Sequence, residues 1–488
     1  MFARRSTRRQ MFRSASVATA AIAAAGTLSA CAGQAAAGGT ASKSSAFPGP
    51  TAGDIIINFA PNWQGASWNA TALELNQQFI DQNYNAKNPG VYVKVAAPVQ
   101  GGAQGQIAAS IAGSGFLDVF QDCCNDLAVL EASGFLTPLD SYLQQDNIDT
   151  SIWNKAHLGV LTYGGHLMAL PAYDGPVAVY YRQDLLDKMG LEYPGATWTY
   201  KEAQSIWQQS TKTVNIGGKT THQYGVQLYN TGYYEQLPWW LQGWGASMMN
   251  AAGTQCTADS TKGADCLTFL QTLSTSGVAQ GRSGISYLGN GQCVFKEAGG
   301  WDLLPIAKLL GNAVKWNILP NPIWPNGPAT FDNIDYYVLN RATKHPNHAW
   351  AFMQWVCAEP AYQAFQMRTT LVEPCLLSLW DQWLTVAAQV VPILATKDIH
   401  YIADAARQGY AYPNRFFKYS AAQVANVIDS WGAQIWSGQL SPVLGLKQMA
   451  DQINSIEATG NVVSQTSSTL QKLFPVAGAS IASVQPGL

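Results

Sequence analysis

Residues 54–122 alternate three apolar runs with two helical stretches, and this alternation narrows the fold more than any other feature of the chain. DIIINFA (54–60), GVYVKVAAP (90–98) and FLDVFQD (116–122) are short runs bounded by turn residues, as buried strands are. Between the first two, ATALELNQQFIDQNYN sets Leu73, Leu75, Phe79 and Ile80 in a helical pattern, and GQIAASIAGS supplies a second, shorter helix. Strand, helix, strand, helix, strand predicts an α/β domain, because a helix must carry the chain back before a parallel strand can pair. Ligands of such sheets bind beyond the C-terminal ends of the strands. Those ends carry Asn62 and Trp63 after the first run, and Gln121, Asp122 and Asn125 after the third.

The first thirty residues belong to a different physical class. Arg4, Arg5, Arg8, Arg9 and Arg13 precede a run of small and apolar residues that ends in Leu28-Ser29-Ala30-Cys31. A basic start, a short apolar centre and small residues at the break make an export signal. Thr7-Arg8-Arg9-Gln10-Met11-Phe12 resembles a twin-arginine signal, with Met11 where Phe is usual, so the Tat and Sec routes both stay open. Leu28 to Cys31 resembles a bacterial lipobox, so residues 1–30 are predicted to be removed and Cys31 to be lipidated. Several acyl chains, at roughly 0.8 kcal/mol per buried methylene, anchor a protein firmly. Residues 31–53, rich in Ala, Gly, Ser, Thr and Pro, are predicted to be a tether.

The remainder of the chain, from Asp54 onward, is too long for one ordinary core, and two lobes are expected. Charged residues are only 12% and the net charge is −2, which argues against a nucleic-acid partner. The chain has six His and no C-x-x-C, so no metal site or cofactor is expected. Of its eight cysteines, Cys256 and Cys266 stand in the polar stretch GTQCTADSTKGADC and are candidates for a local disulfide. Cys357 and Cys375 could pair as well, while Cys123, Cys124 and Cys293 carry no pairing expectation. The 17 Trp and 21 Tyr serve a core, but they also suit a site that stacks flat apolar faces.

LPAYDGPVAVYYRQDLLDKMGL (170–191), followed by TWTYKEA, resembles the extracellular solute-binding proteins of ABC importers, the maltose-binding or family 1 type. DVFQDCCNDLAVLEASGFLTPLD, GNGQCVFKEAGGWDL and NRATKHPNHAWAFMQWVCAEPAYQAF resemble further family segments, in the family's order, so that the likeness runs over about 54–450. Two departures stand out: Lys296 to Gly300 lacks the usual Ala-Met, and the vicinal pair Cys123-Cys124 occupies a loop of the site. The resemblance implies a two-lobed α/β fold of the periplasmic-binding-protein type II, with hinge crossings and a ligand cleft between the lobes. The crossings are expected at Leu170-Pro171-Ala172, Phe331 to Ile334 and Leu371 to Pro374. Lobe 1 is then 54–170 with 334–372, and lobe 2 is 171–333 with 373–488.

The resemblance also implies a carbohydrate ligand, permease subunits as partners, a place outside the cell membrane and a monomeric binder that is not an enzyme. A sugar offers hydroxyls at its rim and an apolar C–H face, so its site needs planar polar groups and aromatic rings. Trp301, after Gly299-Gly300, is the first choice for a stacking ring, and Trp239 is the second. Asp122, Asn125, Asn62 and Trp63 match the loops of the first lobe. Tyr173 and Asp174 follow the first crossing, and Asp332 with Asn333 lies on the second. Glu235, with Tyr233 and Tyr234, sits in the aromatic run YNTGYYEQLPWWLQGWG. Each of these residues also has a structural reading, as core ring, turn or helix cap. A secreted glycoside hydrolase would be aromatic-rich too, but it needs two carboxylates about 5–10 Å apart across one bond. A binder serving a sensor would share the fold and the site.

Overall fold

The computed structural model describes residues 49–61, 70–97, 99, 102–112, 115–123, 126–163, 165–228, 233–251, 253–281, 284–413 and 421–459. Residues 1–48, which include the segment read as an export signal, Cys31 and most of the stretch read as a tether, lie outside the described residues, as do Asn62, Trp63, Cys124 and Asn125. The opening alternation is present as β1 (Ile55–Ala60), α1 (Ala70–Asn83), β2 (Val91–Val95), α2 (Gly102–Ile111) and β3 (Val119–Cys123). β1 pairs in parallel with β2 on one side and with β3 on the other. Ile57, Phe59, Val93 and Val119 are buried, so the near-continuous apolar runs mark strands covered on both faces.

A fourteen-residue strand, Ala169–Arg182, organises the rest. Its first half pairs antiparallel with the strand Thr330–Leu339, from Asp332↔Pro176 to Val338↔Ala169. That returning strand in turn pairs with β3. The second half pairs with Cys293–Gly299 and Trp316–Leu319, starting at Gly299↔Val177. One strand thus leaves the first sheet at Pro176 and enters the second at Val177. This passage lies a few residues beyond the expected Leu170 to Ala172, of which Leu170 and Pro171 still pair within the first sheet and Ala172 is skipped at a shift of register. The short strand Glu373–Pro374 pairs on the opposite side, Glu373 facing Asp174 and Pro374 facing Tyr173. Three segments therefore run side by side at the junction, with the long strand in the middle.

Two apolar clusters flank this junction. The first gathers β1 and β3 with Trp350, Phe352, Trp380 and Trp383. The second gathers Trp198, Trp207, Trp239, Trp240 and Trp324. The chain beyond Glu373 is divided between them: Leu376 to Ala406 buries its apolar side chains in the first, and Val424 to Ile453 in the second.

The cysteine expectation needs correction. Cys256 and Cys266 are separate, buried thiols. Cys266 is not in a loop: Ser260 caps the helix Thr261–Thr275 by accepting the Gly263 N–H, and Cys266 lies on its buried face. Cys256 is held by backbone pairing with Met249 and by its own N–H, which donates to Asn454 at 2.7 Å. Burial pushes the Cys256 thiol up to about 11. Cys357 and Cys375 are also free thiols, Cys375 donating to the carbonyl of Cys357 at 3.6 Å. Among the described residues no helix is long and apolar enough to cross a membrane.

Candidate functional site

The junction of the three strands carries an unusual amount of charge for a dry place. Asp174 and Asp332 are 1% and 0% exposed, and Glu373 and His157 are both 0% exposed. Asp174 comes from the long strand, Asp332 from the returning strand and Glu373 from the short strand. The pairing puts Asp174 opposite Ile334 and Glu373, with Asp332 two residues along from Ile334. Side chains two apart share a face, so all three carboxylates project to the same side of the sheet. His157, on the helix Lys155–Val160, packs against them, with Nε2 2.7 Å from Asp332 Oδ2 and 3.6 Å from Asp174 Oδ1.

Burial first, and then the Asp332 carboxylate, hold Asp174 well above the usual range for an aspartic acid. Burial does the same to Glu373, helped by the charges of Asp332 and Asp302. Asp335, beyond Asp332 on the returning strand, is pushed up to about 7 by burial. It accepts from Gln121 of β3 at 2.8 Å, from Asn333 at 3.2 Å and from the hydroxyl of Tyr173, so one carboxyl ties three strands. The register of the returning strand shifts between Asp335 and Tyr336, a bulge of the kind that re-aims a side chain.

Trp301 lies against the same junction. It sits in the 3-10 turn Gly300–Asp302 that succeeds the strand Cys293–Gly299, and it is partly buried. Its ring folds back over backbone: a Cβ on Gly299 would stand 2.2 Å from the indole, and one on Gly175 would stand 3.0 Å from it. Gly300 is needed for another reason, since a Cβ there would come within 1.3 Å of Glu373 Oε1. The two glycines therefore allow close approach, one to the indole and one to a carboxylate. Next to the turn, burial raises Asp302 and lowers Lys296, two groups whose charges support each other.

The structure thus brings together Trp301, Tyr173, Asp174 and Asp332, four of the residues singled out from the sequence. Tyr173 and Trp301 are partly exposed, whereas the two carboxylates are closed off. Asp122 is buried at the end of β3 and accepts the Cys123 N–H at 2.8 Å. Glu235 lies in the first turn of the helix Tyr233–Trp244, buried, and accepts from the Tyr234 hydroxyl at 2.9 Å.

Trp239 must be corrected. It is 1% exposed, packs on Trp240 and Trp324, and donates its indole N–H to Gln236 at 2.9 Å. A ring enclosed in this way has no face for a ligand, and its place is the second core. Three residues of the junction escaped the sequence reading as site residues, Glu373 being read only as part of a crossing. His157 is a lone His on a short helix, and Asp335 gains its setting from the bulge; neither fact is written in local spacing.

A sequence profile described as "Bacterial extracellular solute-binding protein" matches residues 65–363. Among solved structures, the chain resembles an ABC substrate-binding protein from Listeria monocytogenes in complex with cycloalternan, at 20% identity and TM-score 0.66, covering 82% of this chain and 98% of that one. It resembles a cyclic α-maltosyl-1,6-maltose binding protein from Arthrobacter globiformis at 16% identity and TM-score 0.68, covering 83% and 100%. A sugar transporter from Rhizobium etli in an open conformation is similar at 22% identity and TM-score 0.65, covering 82% and 100%. These likenesses establish a common two-lobed fold.

Proposed function

The chain belongs to the bacterial extracellular solute-binding proteins, and from that premise we propose that its solute is a neutral carbohydrate, captured between the lobes and handed to an ABC importer. The observation that carries this reading is Trp301, a partly exposed indole braced on Gly175 and Gly299 beside Tyr173 at the junction of the lobes. A flat ring held by backbone suits the C–H face of a sugar and excludes water from one side of it. Similar structures bind cycloalternan and cyclic maltosyl-maltose, which supports the same solute class here. The solute leaves as it came: Asp174, Asp332 and Glu373 are too enclosed to flank a scissile bond. Cys31 anchors the protein to the outer face of the cell membrane as a lipoprotein, within reach of the permease subunits, and the binder works as a monomer.

A thermal-shift screen against a carbohydrate panel tests the proposal. A sugar at 100 times its dissociation constant stabilises the folded state by about 2.7 kcal/mol, a visible shift, and is recovered unchanged. A response only to amino acids, peptides or phosphate esters would overturn the solute class, and turnover by purified protein would overturn the binder. The anchor is tested separately: Cys31→Ser releases the protein from membranes or stops its maturation, and normal membrane fractionation of the variant would refute lipidation.

A further inference from the structure

The charged cluster at the junction is larger than a hinge requires: His157 Nε2 and Asp332 Oδ2 hold each other at 2.7 Å, while Asp174 Oδ1 beside them has no hydrogen-bond partner. The atoms that His157, Asp174 and Asp332 can offer all lie within 4.8 Å of one another, and all three residues are buried. A second observation stands beside them. Glu373 is 0% exposed and its carboxyl meets no hydrogen-bond partner beyond its own backbone; Asp174 Oδ1 has none. Glu373 faces Asp174 across the ladder, and Gly300 makes room for its carboxylate. Buried carboxylates without partners are costly unless they keep their protons or something positive displaces those protons and joins them.

We propose that His157, Asp174 and Asp332 form a binding site for a divalent transition-metal ion of the zinc class, with Glu373 as the adjacent carboxylate that turns in to complete or support it. The donor set selects the ion. An imidazole with carboxylates suits zinc, whereas calcium takes six to eight oxygens. The spacing fits: donors about 2.0–2.2 Å from a tetrahedral ion stand roughly 3.4 Å apart. His157 Nε2 and Asp174 Oδ1 are already 3.6 Å apart, and the 2.7 Å approach of Nε2 to Asp332 opens as the ion enters. Zinc takes the Nε2 lone pair and leaves the ring proton on Nδ1. The ion joins a helix and two of the crossing strands, with the third alongside, so it sets how stiffly the lobes are joined and does not touch the solute.

The test uses the untagged full-length protein, stripped with a chelator and dialysed. Zinc, manganese and calcium chlorides are added singly, with metal content read by mass spectrometry after gel filtration and the unfolding midpoint by calorimetry. The site predicts one zinc retained per chain and a midpoint raised by about 3 °C at a hundredfold excess over the dissociation constant. His157→Gln and Asp174→Asn each lose the retained zinc and the midpoint shift; two variants guard against one that does not fold. No retained metal in the parent, retention of calcium but not zinc, or zinc retained equally by a folded variant would each overturn the proposal.

Discussion

Two dry regions of this protein solve the problem of burial in opposite ways. Around the helix Tyr233–Trp244, Trp239, Trp240 and Trp324 exclude water with apolar rings; the Trp239 and Trp324 N–H groups are satisfied at short range, by Gln236 and the Ala329 carbonyl, while the Trp240 N–H and the Gln236 amide nitrogen, both uncharged, have no partner. At the strand junction, three carboxylates and an imidazole are just as enclosed, but several of their polar atoms lack partners. The first region releases water from apolar area and so contributes stability. The second draws on that stability, because enclosed charges must be protonated, paired or bound to an ion. A buried aromatic run therefore speaks of packing, while a buried acidic cluster on crossing strands speaks of a task.

The comparison breaks most easily at Trp239. Trp239→Ala is expected to cost roughly 3–5 kcal/mol of folding free energy, read from denaturant unfolding, because it leaves a large cavity in the second core. Solute affinity, measured on the variant at a temperature where it remains folded, should change little. A folded variant that loses affinity but not stability would move Trp239 out of the core and erase the contrast.

The junction should show what the aromatic core cannot, a dependence on pH. Asp335 titrates near 7 in the folded protein against an ordinary value of 3.8, so the folded state keeps a proton that the unfolded chain has released. Its contribution is fully present below about pH 4 and is lost as the pH rises through 7, about 4 kcal/mol in all. Unfolding curves across this range should fall more steeply for the parent than for Asp335→Asn. Equal slopes would mean that Asp335 stays ionised in the fold and that water reaches the junction.

How much of this was legible in the sequence differs between the two regions for a physical reason. β1, α1, β2, α2 and β3 are announced by period and punctuation, and the fold results because each element buries what its own pattern offers. Trp301, Tyr173, Asp174 and Asp332 could be placed at the junction because they fall in recognisable ordered segments, but the enclosure of Asp174 and Asp332, which takes them out of reach of a solute, is set by packing and not by local sequence. Trp239 could not be separated from a ligand ring, since six aromatics in seventeen residues give both roles the same local pattern. His157 meets Asp332 across 175 residues, and no spacing rule reaches that far. The polar stretch around Cys256 read as a loop because the cap at Ser260 starts a helix whose buried face is set by its partners.

The most direct test of the account is Trp301→Ala, with affinity and stability measured on the same preparation. The tightest ligand from the carbohydrate panel is titrated by calorimetry, and the unfolding midpoint is recorded without ligand. A ring that stacks on the solute predicts about thirtyfold weaker binding, about 2 kcal/mol, with a much smaller loss of stability. Unchanged affinity together with a large fall in the midpoint would make Trp301 a second Trp239, and the carbohydrate site would have to be sought elsewhere.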